Sequence, residues 1–159
     1  MSESRIVQPS TASELKSLSQ LKDLQKTQQR LVIISDAGRD HDDEVALIVA
    51  AGLAKMDLVK IEGVVANLKP AVSRAQLIKG ILNTIGLSDV PVGVGTPIDE
   101  SSSPQSYEFN ASYISEEKDF CDGQVLLKKL FENADDKSLT LLLISGLTDA
   151  NIFLAGNKN

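Results

Sequence analysis

Cysteine occurs once in the 159 residues, at Cys121, so an internal disulfide framework and a cysteine-based zinc cluster are excluded. A lone thiol suits a reducing compartment. Tryptophan is absent and His41 is the single imidazole, so any Ser-His-Asp triad would have to be built on it. Basic excess is also missing. Sixteen Lys and Arg against 22 Asp and Glu give a net charge of −6 and a pI near 4.8, which argues against nucleic acid as a partner. No apolar stretch approaches the ~18 residues of a membrane span. The polar start Met1-Ser2-Glu3-Ser4-Arg5 leads into no secretory core. These absences predict a cytoplasmic protein that engages neither membrane nor nucleic acid. What is present is ordinary: 42% apolar and 24% charged residues, enough for one domain with a real core.

Residues 1–30 read as an N-terminal extension with an amphipathic helix, because Leu15, Leu18, Leu21 and Leu24 recur among Lys and Gln. A docked helix is expected there, with an oligomer contact as the alternative. From residue 31 to 159, strands and helices alternate. Strands are expected over Leu31–Ser35, Leu58–Ala66, Val90–Val94 and Leu139–Ile144. Helices are expected over Asp42–Lys55, Ala71–Ile85, Asp122–Glu132 and from Leu147. Their inward stripes are Val45, Ile48, Val49 and Leu53; Val72, Ala75, Ile78, Ile81, Leu82 and Ile85; and Val125, Leu126, Leu130 and Phe131. Asp99 to Ser106 have a loop composition, and Tyr107 to Phe120 are either an ordered excursion or a mobile lid. The order predicts an α/β fold, an open and mainly parallel sheet with flanking helices. Such sheets bind ligands beyond their carboxyl ends. Four loops should share that edge: Asp36–Asp43, Asn67–Pro70, Gly95–Pro97 and Ser145–Asp149.

The first of these loops carries the chemistry. Asp36, Asp40, Asp42, Asp43 and Glu44 put five carboxylates into nine residues directly behind an apolar strand. One or two acids at a helix start serve as caps. Five repel one another, and a hard divalent cation with oxygen ligands relieves that repulsion. An EF-hand is ruled out: counted from Asp36, the sixth position is His41 instead of Gly and the twelfth is Leu47 instead of Glu. A phosphate-binding loop is ruled out because no Gly-Lys-Ser/Thr follows Gly38. An aspartyl-phosphate phosphatase using Asp36 would want a second acid two residues on, where Gly38 stands.

The pattern Asp36-x-Gly38-x-Asp40-x-Asp42-Asp43 after an apolar strand resembles the N-terminal signature of the inosine-uridine-preferring nucleoside hydrolase family. Glu62-Gly63-Val64-Val65-Ala66-Asn67 is similar to that family's second strand with its substrate-facing Asn. Val90-Pro91-Val92-Gly93 resembles its "DVPV" strand, and Ser145-Gly146-Leu147-Thr148-Asp149 its "GPLTN" segment. The likeness runs in register from Leu31 to Leu154. It implies a Rossmann-like core and calcium-dependent hydrolysis of the N-glycosidic bond of a small-molecule ribonucleoside, giving free base and ribose.

Residue by residue, the resemblance makes Asp36 a Ca2+ ligand and the general base, Asp43 a second carboxylate ligand, and Ile144 a main-chain carbonyl ligand. Asp42 and Asn67 would contact the sugar. The chain departs from the family in four places. Ile34 replaces an Asp, Phe120-Cys121-Asp122-Gly123 replaces a His-bearing loop, and Asp149 replaces an Asn. The family's C-terminal half, with a further calcium ligand, has no counterpart. A catalytically impaired relative serving as a metal-binding or interaction domain is therefore the competing reading, followed by a metal-dependent phosphatase. An unfinished parallel sheet exposes an edge, so a homo-oligomer is expected.

Overall fold

A computed structural model describes Lys16, Gln20, Asp23 and residues 28–38, 40–97 and 110–156. Lys16, Gln20 and Asp23 are helical and exposed, spaced as one polar face. The leucines of that stretch lie outside the described residues.

The elements are β1 (Gln29–Ser35), α1 (Asp42–Lys55), β2 (Val59–Ala66), α2 (Ala71–Thr84), β3 (Val92–Val94), β4 (Cys121–Asp122), α3 (Gly123–Glu132), β5 (Leu139–Leu143) and α4 (Thr148–Gly156). All strand pairs are parallel, in the order β4-β3-β2-β1-β5. The chain therefore steps outward from β1 through β4, then returns to the free side of β1. That reversal puts α1 and α2 on one face and α3 and α4 on the other. Ile33, Ile61 and Val64 meet Leu47, Ile78 and Leu82 on the first face. Val32, Ile34 and Val65 meet Leu126, Leu127 and Phe153 on the second. The open α/β sheet with flanking helices is thus as expected, including α1 over Asp42–Lys55.

Three details differ. The two-residue strand β4 was not expected. It is too short to have a pattern, and its Asp122 caps α3 by accepting from the amides of Gln124 and Val125 at 2.8 and 3.0 Å. The inward stripe of α1 is reversed: Val45, Ile48 and Val49 are 54–55% exposed, while Leu47, Ala50 and Ala51 face the sheet. Because α1 is apolar all round, periodicity could not choose a face, and its small alanines let the helix sit close to β2. Val72 and Val125 are likewise exposed, with Leu77 and Leu127 in the core.

The segment after the loop composition is an ordered strap across α2. Ser115 donates its amide to the Gln76 carbonyl at 3.1 Å, and the Gln76 side chain donates to the Glu117 carbonyl at 3.1 Å. Ala111, Ile114 and Phe120 pack on the core. Gly80 permits this crossing, since a Cβ there would stand 1.9 Å from the Tyr113 carbonyl oxygen.

Candidate metal and ligand site

The ladder extends past the strand ends into each loop of the carboxyl edge. Asn67 donates its amide to Ser35 O at 3.0 Å, Gly95 to Ala66 O at 2.7 Å, and Ile144 to Ile34 O at 3.1 Å. The expected four loops therefore do share one edge. The strand order reverses between β1 and β5, and the crevice of an open α/β sheet opens at that switch point. Ile144 follows β5 and donates its amide to the end of β1, so its backbone lies beside the loop that begins at Asp36.

Asp43 opens α1 yet is only 4% exposed. The Ser35 hydroxyl donates to its Oδ1 at 2.6 Å and accepts the Ala37 amide at 3.3 Å, tying the end of β1 to the start of α1. Burial pushes the Asp43 carboxyl up to about 6, and the charges of Asp36 and Asp42 add to this. The hydrogen bonds from Ser35 and the Asp36 amide only partly offset it. Asp42 is exposed and is held below the ordinary carboxylate range, chiefly by a hydrogen bond with the Asp40 side chain. One carboxylate oxygen each from Asp40, Asp42 and Asp43 lies within 4.8 Å of the others, a spacing compatible with a shared cation.

Behind this loop lies Arg74, 1% exposed. Its Nη1 donates to the carbonyls of Asp36 and, at 3.0 Å, Ala37. Its Nε and Nη2 donate to Lys69 O at 3.3 and 3.2 Å. One guanidinium thus binds the loop after β1 to the loop after β2, and its buried charge opposes the repulsion of the acids. Leu68, between Asn67 and Lys69, is held at φ 61° with its side chain buried. A branched residue pays about 1–2 kcal/mol for that region, so the surrounding contacts must hold it there.

Asn67 is fully buried; its Nδ2 donates to Gly146 O at 2.9 Å and its Oδ1 accepts from the Ser145 hydroxyl. It joins the ends of β2 and β5. Asp149 is fully buried beside it. Its Oδ1 accepts from Thr96 N and Oγ1, both at 2.9 Å, and from Gln124 Nε2 at 3.1 Å. Its Oδ2 has no hydrogen-bond partner among the described residues and lies against Gly95, where a Cβ would stand 2.9 Å from it and 2.9 Å from Asn67 Cβ.

Asp36, Asp42, Asp43, Asn67 and Ile144 all fall on this edge. Asp36 lies close enough to act on Asp43 by charge, but the close trio is completed by Asp40. His41 is exposed, 3.7 Å from Glu44, and serves as no buried acid. Sequence reasoning missed Ser35, Arg74, Thr96, Gln124 and Ser145. Arg74 had a signal: it stands four residues before Ile78 and seven before Ile81, a cation on the buried face of α2. The others are polar residues at element ends, with no periodic signature.

No helix among the described residues is long and apolar enough to cross a membrane. No protein-family model matches the chain, and no curated protein sequence matches it. Solved structures do. The crystal structure of the type III effector protein XopQ complexed with adenosine diphosphate ribose matches with a TM-score of 0.70 at 23% identity. The match covers 92% of this chain and 44% of that one. The crystal structure of the effector protein XOO4466 gives the same values. The chain spans less than half the length of these structures, and what it shares with them is the α/β fold.

Proposed function

We propose that the carboxyl edge of β1, β2 and β5 binds a ribose-bearing nucleoside beside a calcium ion, and that the chain carries the acidic half of a ribonucleoside hydrolase site. The observation that carries this reading is Asp43, a carboxylate buried among like charges at the switch point and pushed up to about 6. The donor set fits a hard cation: one carboxylate oxygen each from Asp40, Asp42 and Asp43 lies in one small volume. The adenosine diphosphate ribose complex of XopQ supports a ribose-containing ligand for this fold. The resemblance of the acidic loop to nucleoside hydrolases supports the reaction.

Asp36, Asp43 and the Ile144 carbonyl would hold Ca2+, with Asp40 close enough to Asp43 to contribute. Bound calcium lowers the pKa of a coordinated water. Asp36, directly after β1, would accept the proton of the attacking water as its oxygen adds to the anomeric carbon and the base departs with the bonding electrons. Anionic side chains stabilise the oxocarbenium-like character of that carbon. Asp42, exposed and held ionised, would accept hydrogen bonds from ribose hydroxyls. The sugar contact of Asn67 would require its fully buried side chain to be uncovered by movement of the Ser145–Gly146 loop it now holds. A cytoplasmic setting agrees with the lone Cys121.

A second reading is favoured by one observation: the amide of Asn67 is already engaged at both ends by Gly146 and Ser145. On that reading the chain binds the ion without turnover. Incubating the calcium-loaded protein with inosine, uridine and adenosine and measuring free base separates the two. Calcium-dependent release abolished by Asp36→Ala is the result expected for the hydrolase. Calcium binding with the same blank for both proteins would leave the binding domain, and turnover of a phosphate ester instead would favour a phosphatase.

A further inference from the structure

Asp149 carries an unmet acceptor. Three donors, Thr96 N, Thr96 Oγ1 and Gln124 Nε2, converge on its Oδ1, and Gln124 Nε2 also donates to its main-chain carbonyl at 3.1 Å. These bonds fix the orientation of the carboxyl group and leave Oδ2 against Gly95. Asp149 is fully buried, yet among the described residues Oδ2 has no hydrogen-bond partner. A buried polar atom without a bond is costly, so one that is retained calls for an explanation. Asn67 stands beside it. A Cβ on Gly95 would lie 2.9 Å from Asp149 Oδ2 and 2.9 Å from Asn67 Cβ, so those two atoms are within twice that distance of each other. The Asn67 carboxamide is instead committed to the β5 loop, with Nδ2 on Gly146 O and Oδ1 taking the Ser145 hydroxyl. Those are the described hydrogen bonds that tie Ser145 and Gly146 across to β2, and Leu147 beside them is 64% exposed. One side chain therefore clasps the loop.

We infer that Asp149 is a positioning residue whose Oδ2 is a second seat for the Asn67 amide, and that Asn67 turning from Gly146 to this seat opens the β5 loop to a ribose-bearing ligand. The ligand rests on the nucleoside reading above; the two seats do not. Rotation about χ1 and χ2 carries the Asn67 carboxamide between its wells, and Gly95 puts no side chain in the way. The turn keeps the amide donor satisfied, since Nδ2 leaves Gly146 O and takes Asp149 Oδ2. The Gly146 carbonyl and Ser145 hydroxyl, on a loop now released, are met by water or by a ligand hydroxyl. Hydrogen bonds so nearly matched place the two arrangements close in free energy. The turn also gives the buried Asn67 a route to a sugar. An acid is required at position 149. An Asn there would keep one oxygen for Thr96 and Gln124 but would point its own N–H groups at Asn67, donor against donor.

Asp149→Asn tests this, because it is isosteric and removes only the second seat; circular dichroism confirms the fold of each variant. In the wild type without calcium or nucleoside, relaxation dispersion of the Asn67 side-chain amide should show microsecond-to-millisecond exchange, shared by the main-chain amides of Gly146 and Leu147. Asp149→Asn should abolish it. Ser145→Ala weakens only the first seat and should raise the population of the second. Calorimetric titration of inosine into the calcium-loaded proteins should show affinity about tenfold weaker in Asp149→Asn, the scale of one lost hydrogen bond, and a few-fold tighter in Ser145→Ala. A purely structural role would move both in the same direction. An Asn67 amide without exchange in the wild type, exchange that survives Asp149→Asn, or inosine affinities shifted the same way would overturn the inference. Exchange that Asp149→Asn abolishes, with no inosine bound by any of the three proteins, would uphold the two seats and remove the nucleoside reading.

Discussion

Two buried aspartates stand on the same sheet edge and do different work. Asp149 is enclosed by donors: two from Thr96 and one from Gln124 converge on its Oδ1. Asp43 has the Ser35 hydroxyl and the Asp36 amide, but faces the negative charges of Asp36 and Asp42. At Asp149 the protein's own hydrogen bonds satisfy Oδ1, and no like-charged group is set against it, although Oδ2 has no partner among the described residues. The other stays electrostatically open unless a proton or a cation joins it. Buried charge alone therefore does not mark a functional group; a buried charge whose neighbours share its sign does. Arg74 fits the same contrast. It donates to the main-chain carbonyls of Asp36, Ala37 and Lys69, so it fixes the acidic loop through the backbone and leaves the carboxylate oxygens to other partners.

The comparison can be broken at several points. The largest effect is expected from Arg74→Met, which removes the buried donor to three main-chain carbonyls and the charge behind the acids. It should cost about 3–5 kcal/mol in urea unfolding, the scale of losing one partner of a buried charged network. Asp149→Ala should cost about 2–3 kcal/mol, because the Thr96 and Gln124 donors lose their acceptor. It should leave calcium affinity unchanged, and a large loss of affinity would show that Asp149 belongs to the ion's site. Asp43→Asn should have the opposite sign on stability. It removes a repelled charge while keeping an acceptor for Ser35, so the calcium-free protein should gain roughly 1 kcal/mol at pH 7.5.

The smallest effect is pH dependence. The carboxyl of Asp43 is raised from 3.8 to about 6 in the fold. Its contribution is fully present below 3.8, where folded and unfolded forms are both protonated, and is lost as pH rises through 6. The calcium-free protein should melt a few degrees lower at pH 7.5 than at pH 5, on the scale of ~1 kcal/mol for a domain of this size. Asp43→Asn should flatten that difference.

Much of this contrast was legible in the sequence. The density of acids behind Leu31–Ser35 exposed a repulsion problem, and alternation of element types placed the loop on the ligand edge before any coordinates. Asn67, Gly95 and Asp149 fell on the same edge for the same reason. What the sequence did not carry was the partnering of those groups. Whether Asn67 faces a ligand or braces Gly146 depends on side-chain direction across residues about eighty positions apart. The choice between Asp36 and Asp40 as the third member of the acidic trio depends on loop curvature. The helix faces failed where composition is apolar all round, as in Val45 to Ala51, because a periodic argument needs polar residues to mark the outside.

The central claim is that the acidic loop is built for a cation and that Asp43 is its buried anchor. Calorimetric titration of calcium into the folded wild-type chain and into Asp43→Asn tests it most directly. The account predicts one calcium bound per chain by the wild type, and affinity at least tenfold weaker in Asp43→Asn despite its higher calcium-free stability. A folded wild-type chain that takes up no calcium, or an Asp43→Asn variant that binds it equally well, would contradict it.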